Sequence, residues 1–188
     1  MNLIHRRYCR SDGWALAVQK YMLPWVLKDI DLGDNALEIG PGPGRTTEWL
    51  RDHVPHLTAI EIDHALAESL KKRLAGPKLT VVEGDATNMQ FADAAFSGAV
   101  CMTMLHHVPS PALQDKLVAE TFRVLRPGAI FAGCDSTPTL RWRLFHIMDT
   151  CVAVDPNGFA SRLQAAGFTD ATVETNEYHS FRFSARKP

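Results

Sequence analysis

The chain has 188 residues, with 20 Lys+Arg against 21 Asp+Glu for a net charge of -1, and is 46% hydrophobic and 22% charged. Such a length and balance fit one globular domain of about 100–200 residues and exclude a disordered, collagen-like or coiled-coil chain. The missing basic excess argues against a dedicated duplex nucleic-acid binder.

No run of about 18 apolar residues is present, and the first fourteen residues lack the apolar centre of a signal peptide. The expected setting is cytoplasmic, with no membrane partner. Cys9, Cys101, Cys134 and Cys151 form no C-x-x-C pair. They read as reduced thiols rather than as a disulfide framework or a zinc ribbon.

Apolar residues at helical spacing from Trp14 to Leu27 predict a helix over Ser11–Ile30, kinked or split at Pro24, within an N-terminal helical cap of residues 1–34. Asn35–Gly40 predicts a short buried strand that runs into Gly40-Pro41-Gly42-Pro43-Gly44, and Arg45–His53 a helix. Leu57–Ile62 is a second strand. Asp63 or His64 opens a helix to Leu74, stopped by Gly76-Pro77. Strands follow at Leu79–Glu83 and Gly98–Met102, then a helix over Pro111–Leu125. Arg126-Pro127-Gly128 reads as a turn before a fifth strand, Ala129–Cys134. A helix over Gly158–Ala166 precedes two strands, near Ala171–Thr175 and Tyr178–Ala185, joined by a two-residue turn at Asn176-Glu177.

Strands alternating with helices imply βαβ units. The predicted fold class is α/β: a single-domain, three-layer Rossmann-like sandwich with a mostly parallel seven-stranded sheet and an antiparallel C-terminal hairpin.

The glycine loop is the most informative segment. Side chains at Gly40, Gly42 and Gly44 would keep a ligand from the backbone, and the helix after it offers free N–H groups. Alone, the loop also fits a tight strand-to-helix turn with no ligand. Glu61 ends the second strand, where a carboxylate can accept from both hydroxyls of a ribose. Asp85 follows the third, where it can accept from an exocyclic amine or simply cap a turn. All three features fall at the C-terminal ends of neighbouring parallel strands, where open α/β sheets bind ligands.

These segments, in this order, resemble the class I (seven-β-strand) S-adenosylmethionine-dependent methyltransferases, of the small-molecule, type 11-like kind. Ala36–Gly44 resembles the family's first motif and Thr58–Asp63 its second. Glu83–Ala86 resembles the third, Phe96–Val100 the fourth strand, Arg123–Gly128 the approach to the fifth strand, and Gly167–Phe168 the start of the C-terminal hairpin. The resemblance implies that Gly40, Gly42 and Gly44 cradle the methionine and ribose of the cofactor, and that Glu38 orients the methionine end. It gives Glu61 the ribose hydroxyls, with Ile62 beside it, and Asp85 and the Ala86 amide the adenine. The main chain at Met102 approaches the methionine amino group. The family often has Asp where this chain has Ser97, a departure expected to have a small structural effect.

The implied reaction is direct displacement of a methyl group onto a small-molecule acceptor, with S-adenosylhomocysteine as product. Alignment supplies most of the catalysis, and a base is needed only for an acceptor that must lose a proton. His106 is the candidate catalytic residue, weighed against a structural Leu-His-His turn; His107 is a weaker one. Residues 136–156, with Arg141, Trp142, Arg143, Phe145, His146 and Met148, form an expected acceptor-site cap. Trp142, Phe145 and Met148 equally fit plain packing. Arg45 reads as a surface residue at a helix start. No metal-ligand cluster is legible.

The motifs of adenine and glutamine amino-group methylases and the Pro-Cys nucleophile of cytosine C5 methylases are absent. An RNA methyltransferase remains the alternative, because Thr58–Asp63 also resembles ribosomal RNA adenine dimethylases. It lacks support from charge or from a basic C-terminal domain. A non-catalytic cofactor-binding module is a further alternative, and a nicotinamide oxidoreductase fits Asp85 and the terminal hairpin poorly. A homodimer is left open.

Overall fold

The computed structural model describes residues 7–188, with only the backbone of Arg141. The first six residues of the expected 1–34 cap lie outside the described residues. Among the described residues no helix is long and apolar enough to cross a membrane.

Helix α1 (Asp12–Ala17) starts at Ser11, whose side chain accepts from the Trp14 N–H. The chain then widens into a π turn over Val18–Met22 and re-tightens as α2 (Leu23–Val26). Pro24 explains this. Its ring clashes with a carbonyl four residues back and it has no N–H to give. The Leu23 N–H instead reaches five residues back, to the Val18 carbonyl, and the widened turn absorbs the proline. The expected helix is therefore split into two short helices with a bulge between them, and it ends at Val26 rather than Ile30.

The remaining elements are β1 (Asn35–Ile39), α3 (Arg45–His53), β2 (His56–Glu61), α4 (His64–Arg73), β3 (Leu79–Glu83), β4 (Phe96–Met102), α5 (Pro111–Val124), β5 (Leu125–Ser136), α6 (Leu140–Phe145), α7 (Pro156–Ala165), β6 (Thr169–Thr175) and β7 (Ser180–Arg186). Asp63, Ser110, Thr139 and Asp155 cap α4 to α7 with their side chains, each satisfying an N–H with no partner inside the helix.

One seven-stranded sheet has the order β3-β2-β1-β4-β5-β7-β6. The first five strands are parallel, and β7 enters antiparallel between β5 and β6. The expected fold class is thus observed.

Two details differ. Arg126–Gly128 is a bulge within β5 rather than a turn before it: Phe96 pairs with Leu125, and pairing resumes at Gly98 with Ile130. The β6–β7 connection has four residues rather than two. The Asn176 side chain accepts from the Tyr178 and Ser180 amides, and His179 takes φ +57°.

Alternate residues of each strand feed opposite faces. One face packs Leu37, Ile39, Ala99, Cys101 and Phe131 against α5, α7 and the β7 phenylalanines. Phe159 lies edge-on to Phe183 at 4.9 Å, and Phe131 to Phe183 at 5.0 Å. The other face packs Ala36, Leu57, Val100, Ala132 and Cys134 against Val18, Leu23, Val26 and Leu50. This makes three layers, with each large core side chain contributing roughly 1.5–3 kcal/mol. Cys101 and Cys134 are buried, Cys9 and Cys151 half-buried, and all four are unpaired thiols.

Ser97 has a structural role. Its hydroxyl accepts from the Asn35 N–H at 2.8 Å and donates to the Leu32 carbonyl at 2.8 Å, pinning the entry of β1 to β4. That pinning registers the strand tips on which the site is built.

Candidate active site

The C-terminal ends of β1 to β4 open on a cavity of about 640 Å³. The strand order turns outward on either side of β1 and β4, and this reversal is where an open α/β sheet leaves a crevice.

Gly40 and Gly42 line the cavity. Gly40 has φ +65°, and a Cβ there would sit 2.3 Å from the Met104 side chain. Gly42 differs, because a Cβ there would meet nothing within 4 Å among the described residues, so its bare backbone borders open space. Gly44 lies outside the cavity lining. It has φ +86° and a Cβ would sit 2.2 Å from Leu70, so its place is the close approach of α3 to α4.

Glu61 is 6% exposed and lines the cavity. Its carboxylate accepts from the Gly42 N–H at 2.9 Å and the Asp63 N–H at 3.0 Å, tying the glycine loop to the tip of β2. Burial pushes its carboxyl above the usual range, while these amide donors pull it back down. Ile62 is 69% exposed on the lining, beside Asp63. Asp85 and Ala86 line the same wall, and one Asp85 oxygen accepts from the Thr87 N–H at 2.8 Å. Met102 and Thr103 complete it from β4. Thr103 holds φ +50°, with its N–H on the Cys134 carbonyl at 2.8 Å; left-handed backbone at a β-branched residue is rare and clusters at functional sites.

Glu38 stands behind this wall, 1% exposed. The Thr46 hydroxyl donates to one of its carboxylate oxygens. The other oxygen is buried with no hydrogen-bond partner among the described residues. Burial pushes the carboxyl up to about 7, with the Thr46 hydroxyl opposing. The folded protein therefore holds this proton more tightly than the unfolded chain. The stabilising contribution is complete below the ordinary value of 4.5 and is lost as pH rises through about 7. Glu38→Gln is expected to remove that slope. Its urea midpoint should gain on the wild type between about pH 5 and about pH 8; parallel curves would show that Glu38 does not titrate there.

On the far side the cavity is walled by Tyr8, Trp14, Val18 and Met22 from the N-terminal helices, and by Trp142, Phe145 and His146 from the segment after β5. Tyr8 packs edge-on to Phe145, with centroids 5.4 Å apart, so the two walls meet. Trp142 and Phe145 thus face the site, whereas Met148 is 96% exposed, contrary to the packing role its spacing suggests. Arg45 is also no surface residue. It lines the cavity, pairs with Glu48 and donates to the Arg10 carbonyl. The side chain of Arg141 lies outside the described residues.

His106 sits in the 3-10 turn Leu105–His107, 3% exposed and on the lining. Its Nδ1 donates to Asp135 Oδ1 at 2.5 Å, and its backbone N–H donates to Asp135 Oδ2 at 3.0 Å. Gln114, fully buried, donates to the Leu105 and Val152 carbonyls, and the Val152 N–H donates to the His106 carbonyl at 2.7 Å. The turn and the segment after β5 are therefore fixed to each other. His107 and His146 lie beside His106, with ring centroids 4.1 and 5.0 Å from it. Asp135 and Thr103 escaped sequence reasoning. An acidic residue closing the apolar run Phe131–Cys134 was the available signal for Asp135.

A family model described as a methyltransferase domain matches residues 37–133, just over half of the chain and the span from β1 to β5. Ribosomal RNA small subunit methyltransferase A of Bordetella pertussis is 40% identical over 80 residues, covering 43% of this chain and 30% of that protein. Sterol methyltransferase-like 2 of Botryococcus braunii is 37% identical over 116 residues, covering 58% of this chain and 29% of that protein. The chain thus aligns with about a third of the length of these relatives. A SAM-dependent methyltransferase from Aquifex aeolicus superposes with a TM-score of 0.77 over 98% of both chains, at 16% identity, a likeness of fold. With the matched span carrying the glycine loop and the tips of β1 to β4 around it, the chain belongs to the class I S-adenosylmethionine-dependent methyltransferases.

Proposed function

We propose that the protein transfers the methyl group of S-adenosylmethionine to a small-molecule acceptor held between the strand tips and the aromatic wall. The observation that carries this reading is the shared cavity, in which Gly40, Gly42, Glu61 and Asp85 face the same space as Tyr8, Trp14, Trp142 and Phe145. Its volume of about 640 Å³ lies within the usual range of about 300–1,000 Å³ for ligand pockets.

The residues fit the cofactor. Gly42 leaves backbone open to the cavity, and Glu38 keeps a buried carboxylate oxygen without a hydrogen-bond partner among the described residues, a natural counterpart for an ammonium group reached directly or through a water. Glu61 retains lone pairs for ribose hydroxyls beyond the two amides it accepts. Asp85 and the Ala86 amide offer an acceptor and a donor for adenine, and exposed Ile62 offers an apolar face. Met102 and Thr103 form the floor. Gly44 acts through the α3–α4 packing that sets the loop. When bound, the cofactor supplies an electrophilic methyl on a sulfonium that leaves neutral, so no side chain has to protonate it.

The protein's work is therefore alignment and exclusion of water. Tyr8 against Phe145 closes the acceptor side. His106 is proposed as the catalytic residue. Asp135 holds its proton on Nδ1, which leaves the lone pair on Nε2, where an acceptor O–H or N–H can pass its proton.

The ribosomal RNA methyltransferase likeness supports a second reading. The net charge of -1 and the aromatic closure weigh for the small molecule. Incubating the protein with methyl-labelled cofactor, a panel of small hydroxyl, amine and thiol compounds, and total RNA tests both. Label in a small molecule is expected. Label in RNA alone overturns the acceptor class, and no binding of S-adenosylhomocysteine by calorimetry overturns the cofactor assignment.

A further inference from the structure

Three imidazoles meet at the acceptor end of the cavity. His106 and His107 come from the turn after β4 and His146 from the end of α6. One ring nitrogen of each lies within 4.8 Å of the other two. The chain carries none of the usual metal-ligand spacings, and the fold alone brings them together, across about 40 residues of sequence.

The surroundings of the rings set their chemistry. In each, Nδ1 faces an acceptor oxygen: Asp135 Oδ1 at 2.5 Å for His106, the Thr150 carbonyl at 3.1 Å for His107, and the Trp142 carbonyl at 2.8 Å for His146. A neutral imidazole donating from Nδ1 carries its lone pair on Nε2. All three rings are thus set as Nε2 donors toward a cation.

Charge points the same way. Asp135 is fully buried, and its sole ion-pair partner among the described residues is His106. A carboxylate taken out of water calls for a positive charge nearby. A carboxylate on the far nitrogen of a histidine is also the usual outer shell of a histidine-bound metal, fixing tautomer and ring orientation together. His106 Nε2 is buried with no hydrogen-bond partner among the described residues.

We propose that His106, His107 and His146 bind a divalent transition-metal ion of the zinc class through their Nε2 atoms, with Asp135 as the outer-shell carboxylate. At a Zn–N distance of about 2.0–2.1 Å, tetrahedral ligands stand about 3.3 Å apart, so small side-chain rotations close the cluster. An all-imidazole set takes zinc, copper or nickel and rejects magnesium and calcium. Three protein ligands leave a fourth position, the pattern of catalytic rather than structural zinc, and all three histidines line the cavity.

The metal site stands on the histidine geometry alone; its use in catalysis rests on reading the cavity as the methyl-acceptor site. A proton and a metal compete for the His106 lone pair. In the metal-bound protein, then, an acceptor hydroxyl or thiol in the fourth position is acidified by the ion, and its proton leaves to solvent instead of to His106.

The test uses the full chain, stripped with chelator and dialysed. Titration with Zn²⁺ against a chelating dye is expected to show one equivalent bound. His107→Ala and His146→Ala are each expected to weaken it by about 100-fold or more, and Asp135→Asn by about 10–100-fold. Co²⁺ added to the wild type should give the intense visible band of a four-coordinate site, a reading independent of how the variants fold. Magnesium should not compete. Zinc affinity unchanged in both histidine variants, or cobalt with only weak six-coordinate absorption, overturns the proposal. S-adenosylhomocysteine binding is measured on the same samples. Its loss with zinc retained would overturn the cofactor reading and leave the metal site standing; its retention without zinc binding would do the reverse.

Discussion

Glu61→Ala is expected to weaken S-adenosylhomocysteine binding by roughly 100-fold, about 2.7 kcal/mol. Two losses combine. The first is the pair of hydroxyl contacts proposed for the carboxylate, each a hydrogen bond to a charged group and worth about 1.5–3 kcal/mol. The second acts before any ligand arrives. Glu61 is the tie between β2 and the glycine loop, through the Gly42 amide at 2.9 Å, and it also fixes the Asp63 amide at 3.0 Å. Without it, both N–H groups lose their partner and the loop no longer holds the φ +55° backbone of Gly42 in place. Part of the free energy therefore appears as lower stability and part as lower affinity. Glu61→Gln separates them: the amide oxygen can keep one backbone donor, so stability should fall less than in the alanine variant while affinity still drops. Calorimetry with each variant, beside urea unfolding, reads both quantities. Affinity within twofold of wild type in the alanine variant would remove Glu61 from the binding site.

The strand tips were legible because their residue types are forced by backbone and solvent. Gly40 and Gly42 hold positive φ, and a carboxylate closing the apolar run Leu57–Ile60 is conspicuous wherever it lies. Helix α3, at Arg45–His53, and strand β3, at Leu79–Glu83, have the bounds that the sequence pattern sets. Where the expectation failed, a tertiary contact decided. Pro24 marks a break in the helix, but nothing local shows that the π turn over Val18–Met22 absorbs it. Gly44 belongs to the glycine pattern in sequence, but the space a side chain would need there is taken by Leu70. A helix start alone puts Arg45 on the surface, because nothing local shows that residues 10 and 12 lie against it. The acceptor side was least legible. Its wall is assembled from residues 8–22 and 142–150, far apart in sequence, and helical spacing in the latter could not tell Trp142 and Phe145, which face the cavity, from Met148, which faces water. The meeting of His106 with His146 and Asp135 is likewise a product of topology: β5 lies next to β4, so the end of one strand buries a carboxylate under the turn that follows the other.

That carboxylate carries the second large effect. Asp135→Asn is isosteric, yet it cannot satisfy the same partners. Oδ1 accepts from His106 Nδ1 at 2.5 Å and from the Ser136 N–H at 2.6 Å, while Oδ2 accepts from the His106 N–H at 3.0 Å. An asparagine oxygen at the first position sets its NH₂ against the His106 backbone N–H. Turned the other way, the NH₂ meets the Ser136 N–H and can bond the ring only if His106 moves its proton to Nε2. Either arrangement leaves a buried donor facing a donor, expected to cost about 1–3 kcal/mol of stability. The second also removes the lone pair from the cavity side. For any acceptor that must lose a proton, turnover is expected to fall by about 10²–10⁴-fold, with S-adenosylhomocysteine affinity within a few-fold of wild type, because no cofactor-facing residue changes. A merely structural role would lower stability and leave turnover per folded molecule intact. ¹⁵N NMR of the imidazoles separates the cases: the wild type should show His106 protonated on Nδ1, and the variant should show either the Nε2–H form or a mixture. Turnover and tautomer both unchanged would mean that the buried pair holds the turn and takes no part in the chemistry.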